Sequence, residues 1–204
     1  MRLFRFHTLP PRLVILAAWV MMPALATAPL PAHAQDTPEK PVARKAESLD
    51  SLFEELKAEA DPKEAKRISD RIWARWRDSG SATGNLLLQW ANTALNDKKF
   101  GLSLDFLDQL IVLMPDYAEA WNQRATLHYV RGNYAKSMSD INRVLTLEPR
   151  HFGALAGMAA IFTANGNDEL ALRAWEQMLA IYPANREAQT KVGELADKLA
   201  GSRT

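Results

Sequence analysis

Candidates for chemistry begin with the stretch LEPRHFGAL, residues 147–155, where Glu148, Arg150 and His151 stand together between Pro149 and Gly153. A carboxylate, a guanidinium and an imidazole in one short loop are side-chain types that acid–base chemistry uses. His128 is the other histidine beyond residue 34, and it follows Arg124 by four positions. That spacing puts both on one face of a helix. Such a pair suits a small anionic ligand, or an ion pair between Arg124 and an acid such as Asp140. GSATG, residues 80–84, has the glycines of a phosphate loop but lacks its Lys and Ser/Thr, so it reads as a turn and helix cap. No HExxH or paired-histidine spacing offers a metal site. No G-x-S-x-G or S-x-x-K sets up a serine nucleophile. With no cysteine there is no thiolate and no disulfide. These absences point away from an enzyme, and no metal or cofactor is expected.

The N-terminal 34 residues differ from the rest. Arg2, Arg5 and Arg12 precede an uncharged run that begins LVILAAWVMM, and no acid appears before Asp36. Pro23, Pro29 and Pro31 interrupt that run, and Ala32-x-Ala34 precedes Gln35. This is the layout of a secretory signal peptide cut before Gln35, with an apolar run too short for a membrane anchor. The expected location is therefore the periplasm. Removing three arginines and no acids takes the formal charge from +1 to −2. A chain that is not basic is a poor general nucleic-acid binder. Residues 35–46, QDTPEKPVARKA, are polar and read as a flexible linker.

Beyond the linker the chain repeats every 34 residues. Pro115, Pro149 and Pro183 keep this step, with Ser81 at the preceding place. Phe53, Leu87, Trp121 and Leu155 form a second series; Ser69, Ser103, Ser137 and Ala171 form a small one; Trp73, Leu107, Ile141 and Trp175 form a bulky one. Large residues alternating with small ones at fixed offsets let neighbouring helices interdigitate. Gly132 and Gly166 stand where the first helix of a pair must end, in the left-handed cap that glycine favours.

This pattern resembles the tetratricopeptide repeat (TPR) family and its W-x2-L-G-x2-Y, A-x3-F, P signature. Trp121, Arg124, Ala125, His128, Ser137, Ile141 and Pro149 carry it in one repeat; Leu155, Met158, Ala159, Phe162, Ala171, Trp175 and Pro183 carry it in the next. Leu87, Trp90, Ala91, Ala94, Ser103, Leu107 and Pro115 make a third match. The resemblance implies an all-α fold, a right-handed α-solenoid of helix hairpins: a first repeat over 81–114, a second over 115–148 and a third over 149–182. Residues 47–80 read as a degenerate N-terminal hairpin. Its first helix has Leu49, Leu52, Phe53 and Leu56 on one face. Its second starts at Asp61, Pro62 and Glu64 as an N-cap, an N1 proline and a capping-box acid. Trp73 holds the place of Trp175 and is expected to pack on the next repeat. Residues 183–200 read as a capping helix with Lys191, Glu194 and Lys198 facing solvent.

In this family the first helix of each repeat lines a concave, partner-binding face. Carried over by position, that face comprises Asn85, Leu88, Asn92 and Leu95; then Glu119, Asn122, Thr126, Tyr129 and Val130; then Gly153, Ala156, Ala160 and Thr163. Asparagine amides can serve both backbone groups of a peptide, and Tyr129 offers an aromatic anchor. Leu88, Gly153 and Gly157 stand where a subclass that clamps terminal carboxylates places basic residues, although Asn92 matches it. The resemblance thus implies a protein–protein interaction scaffold with a protein or peptide partner. Arg150 and His151 become turn residues in a joint between repeats, with little expected effect on truncation. The alternative is a membrane-peripheral scaffold whose helix over 62–78, with Lys66, Arg67, Arg71, Arg75, Arg77 and two tryptophans, docks on anionic lipid.

Overall fold

The computed structural model describes residues 47–201; the signal peptide and linker assigned to 1–34 and 35–46 lie outside the described residues. The described residues are all-helical, with α1 (Leu49–Ala58), α2 (Pro62–Arg77), α3 (Ala82–Asn96), α4 (Phe100–Leu113), α5 (Ala118–Val130), α6 (Tyr134–Leu147), α7 (Phe152–Ala164), α8 (Asp168–Ile181) and α9 (Arg186–Gly201). Helices pair as antiparallel hairpins and stack into a helical solenoid. None of them is long and apolar enough to cross a membrane.

Local rules explain the element ends. Asp61 accepts from the amides of Lys63 and Glu64, both at 2.9 Å, and so caps α2 in front of Pro62. The capping box is not reciprocal, however. Glu64 pairs with Arg67, and the Asp61 amide donates instead to Glu59 Oε1 at 2.7 Å. Gly132 and Gly166 turn α5 into α6 and α7 into α8 with φ of +72°. Lys98 holds the equivalent place between α3 and α4 with φ of +60°.

Within each pair the small series sets the helix approach. Ser103 and Ser137 are buried, and each hydroxyl donates to a carbonyl on the facing helix, Ala91 at 2.9 Å and Ala125 at 2.8 Å. Ser69 instead bonds Lys66 within its own helix, and Ala171, fully buried, has only its methyl. The core of the first repeat is Leu87, Leu88, Ala91, Leu107, Leu110 and Ile111, continued by Ala120 and Leu127 of the next.

The N-terminal hairpin departs from the expected stacking. Leu52, Phe53, Leu56, Ile68, Ile72 and Trp76 join one core with Phe152, Leu155, Trp175, Met178, Tyr182 and Leu195. The α1–α2 pair therefore shares its core with the third repeat and α9, not with the repeat that follows it in sequence. Trp73 and Trp76 both lie against Phe152, at ring separations of 5.5 and 4.8 Å. Periodicity marks which side chains of α1 and α2 are buried. The aromatic surface that buries them is at the α6–α7 joint, out of reach of any local pattern.

The same contacts bear on the lipid-docking alternative. Trp76 is buried and Trp73 half-buried on α7. Lys66 pairs with Asp70, Arg67 with Glu64, and Arg71 with Glu47 and Glu55. The apolar face that lipid docking needs is already covered, and much of the basic face is neutralised.

Candidate partner-binding groove

The joint that carries Glu148, Arg150 and His151 is a structural clamp. Arg150 Nε donates to Glu148 at 3.0 Å, its Nη1 to Asp50 of α1 at 2.8 Å, and its guanidinium lies 4.2 Å from the centre of the Phe53 ring. His151 is the N-cap of α7 and is fully buried. Its Nδ1 accepts from the Ala154 amide at 3.1 Å. That bond leaves the proton on Nε2, which faces Glu119 Oε2 at 3.3 Å. Glu119 is equally buried and accepts from Asn122 Nδ2 at 3.0 Å and Gln123 Nε2 at 2.6 Å. A buried carboxylate is tolerable when donors surround it, as here. His151 is thus a joint residue but not a surface one, and its truncation will not be neutral.

Arg124 is an ion-pair residue. Its guanidinium forks onto Asp140 at 2.8 and 2.7 Å and reaches Asp108 of α4 at 2.7 Å. It also lies 4.8 Å from the centre of the Trp121 ring. His128 is buried behind this network, 3.9 Å from Asp140. Among the described residues its Nδ1 has no hydrogen-bond partner. Burial, the largest effect, holds its pKa below the ordinary histidine value, opposed by Asp140.

Of the side chains assigned to the concave face, Asn122, Thr126, Tyr129, Gly153, Ala156 and Ala160 line one cleft of about 270 Å³. Asn85, Leu88, Asn92, Leu95, Glu119, Val130 and Thr163 do not line it. Leu88 is core, and Glu119 is spent on His151. Asn85 ties down the turn before α3, accepting from the Ser79 amide at 2.8 Å and donating to Asp78 at 3.1 Å. That bond holds the Asp78 carboxyl below its ordinary value.

The cleft runs between α5, α7 and α9. Its floor includes Ile141 and Trp175, from the second helices of two repeats. Small residues make it roomy: a Cβ on Gly157 would stand 3.4 Å from the Ile141 side chain, with the cleft beyond. Thr126 donates to the Asn122 carbonyl at 3.0 Å. Asn122 Oδ1 has no partner among the described residues and can accept from a bound chain. Glu187 of α9 is the one charged residue of the lining. It was missed although the step that links Asn85, Glu119 and Gly153 leads to it.

Stacked helical hairpins enclosing a cleft of small, amide and tyrosine side chains define a repeat protein of the interaction type. No family model matches the chain. The chain is 56% identical over 185 residues to a TPR repeat-containing protein of Rhizobium etli, covering 88% of this chain and 91% of that one. The chain belongs to the tetratricopeptide repeat family. Solved structures of similar fold include the first TPR of Spaghetti bound to an HSP90 peptide. There the TM-score is 0.55 at 22% identity, over 59% of this chain and 95% of that one. The Sgt2 TPR domain from Aspergillus fumigatus matches with a TM-score of 0.55 at 14% identity, over 60% of this chain and 83% of that one.

Proposed function

We propose that the chain is a non-catalytic interaction module of the bacterial cell envelope that holds a partner peptide or protein segment in the α5–α7–α9 cleft. The observation that carries this reading is the cleft itself. It has an apolar floor, room left by Ala156, Gly157 and Ala160, Tyr129 as an anchor and Asn122 Oδ1 unspent. A ligand pocket with a few convergent polar groups is the default binding site. No lining residue is cationic, and Glu187 is acidic. The preferred segment therefore carries a bulky apolar side chain beside a lysine or arginine, not a terminal carboxylate. Export rests on the Ala32-x-Ala34 motif after the short apolar run.

A photo-crosslinking residue at Thr126 tests the cleft in envelope extracts. A discrete partner adduct is expected, lost when Gly157→Leu fills the cleft and weakened by Glu187→Lys, with Val112 as the control position. Adducts that survive Gly157→Leu would place binding elsewhere. Sequencing the processed N-terminus tests export: a start at Gln35 is expected, and a retained Met1 defeats it.

A further inference from the structure

The hairpin that precedes the first repeat in sequence packs on the third, and this leaves an open face on α3 and α4. Leu86 and Trp90 are 41% and 46% exposed, and Leu102 is 46% exposed. Trp90 and Phe106 form a ring pair at 5.5 Å, and with Leu102 they line a shallow apolar cleft of about 330 Å³. One period later the same surface is covered: Ala120 is fully buried against the first repeat, and Arg124 bonds Asp108 on it. The open face is thus the one that the stacking of this chain buries elsewhere. Its residues are apolar where the second repeat has Arg124, Lys136 and Asp140.

We propose that this face binds a second copy of the chain, first repeat against first repeat, across a two-fold axis. The chain's own α1–α2 pair is committed: its apolar side lies on α7 and α8 and is tied by Arg150 to Asp50. Head-to-tail stacking has no apolar counterpart, because α9 turns Lys191, Glu194 and Lys198 outward. The rim of the open face carries Asp97 and Lys99, paired at 3.0 Å. A neutral rim of both signs gives no attraction for anionic lipid. Because these charges cancel within each copy, the rim sets no like-charge barrier against a second copy. Self-complementary patches of this kind close as two-fold dimers. Two helices about 22 Å long and about 10 Å across offer a face smaller than stable interfaces need, in the range of weak, transient ones. The dimer is therefore concentration-dependent.

Sedimentation of the chain, purified as the cell processes it, reads the association from about 1 to 100 μM. A dimer that forms over that range is expected. Trp90→Glu and, separately, Leu102→Lys should each move the midpoint at least tenfold upward with unchanged helical circular dichroism. Leu170→Glu, at an exposed leucine on α8, should leave it in place. A monomer throughout the range, or a dimer indifferent to both substitutions, overturns the proposal.

Discussion

The indole of Trp76 lies flat on the imidazole of His151, with ring centroids 4.0 Å apart and planes 11° from parallel. This contact fixes α2 on the N-cap of α7, and the burial of the His151–Glu119 pair depends on it. Trp76→Ala is expected to cost about 3–5 kcal/mol, as for other buried aromatics. His151→Ala removes a helix cap worth about 1 kcal/mol and leaves Glu119 short of one donor, a further loss of about 1–3 kcal/mol. Urea midpoints measure both. Limited proteolysis should cut first between α2 and α3 in either variant. An unchanged midpoint for His151→Ala would mean the imidazole is not buried as described.

Lys98 adopts a left-handed backbone that Gly132 and Gly166 adopt at the same repeat position. A side chain in that region costs about 1–2 kcal/mol. Part of that cost is offset because glycine loses more entropy on folding, so Lys98→Gly should stabilise the fold by about 0.5–1 kcal/mol. The reverse change, Gly132→Lys, should destabilise by a similar amount. Thermal unfolding of the two variants gives opposite shifts if the turn is shared.

Much of this was legible in sequence, and for a physical reason. A fixed 34-residue step repeats local constraints: a glycine where α5 ends, a serine where α5 and α6 touch, a bulky residue on α4, α6 and α8. The pairing of helices within a repeat follows from such constraints. The seat of the α1–α2 hairpin does not, because it depends on a single long-range match between Phe53, Trp73 and Trp76 and the joint at His151 and Phe152. The same limit affected Glu119, whose repeat position points to the groove while a histidine in the next joint takes its carboxylate. Repeat position puts Asn122, Thr126, Tyr129, Ala156 and Ala160 on one cleft, and the same step carried into α9 leads to Glu187, which lines it too.

Arg124 and Asp140 occupy positions that hold Met158 and Ala174 one period later. Removing Arg124 alone strands Asp140, whose side chain is 6% exposed. Arg124→Ala should cost about 3 kcal/mol. Replacing both as in the third repeat, Arg124→Met with Asp140→Ala, should cost less than the single change, because no buried charge is left unpaired. A double variant less stable than Arg124→Ala would show that the ion pair contributes more than its own desolvation costs.

His128 provides the pH dependence. Burial depresses its pKa in the folded state. The unfolded chain, with an imidazole near pH 6.5, then binds more protons than the folded one. Stability is full above that pH and falls as acidification proceeds toward the folded pKa. Phe162 holds the equivalent place in α7, so His128→Phe is the matched control. Urea midpoints between about pH 7.5 and pH 5 should decline in the parent and decline less in the variant, the carboxylates titrating mainly below this window. Equal slopes would sink the assignment.

Gly153 tests the hairpin's seat most directly. It lies in the first turn of α7, and a Cβ there would stand 2.6 and 2.9 Å from two indole carbons of Trp73. In a helix with open space, Gly→Ala gains up to about 1 kcal/mol. Here the methyl collides with the indole, and overpacking of this kind costs about 1–3 kcal/mol. Gly153→Ala should therefore destabilise the parent. In a Trp73→Leu background the obstruction shrinks and helix propensity decides, so the same change should be neutral or stabilising. That reversal of sign follows only if Trp73 lies across α7 of the third repeat. Were α2 stacked on α3 instead, Gly153→Ala would have the same effect in both backgrounds, and a double-mutant cycle in urea would return no coupling.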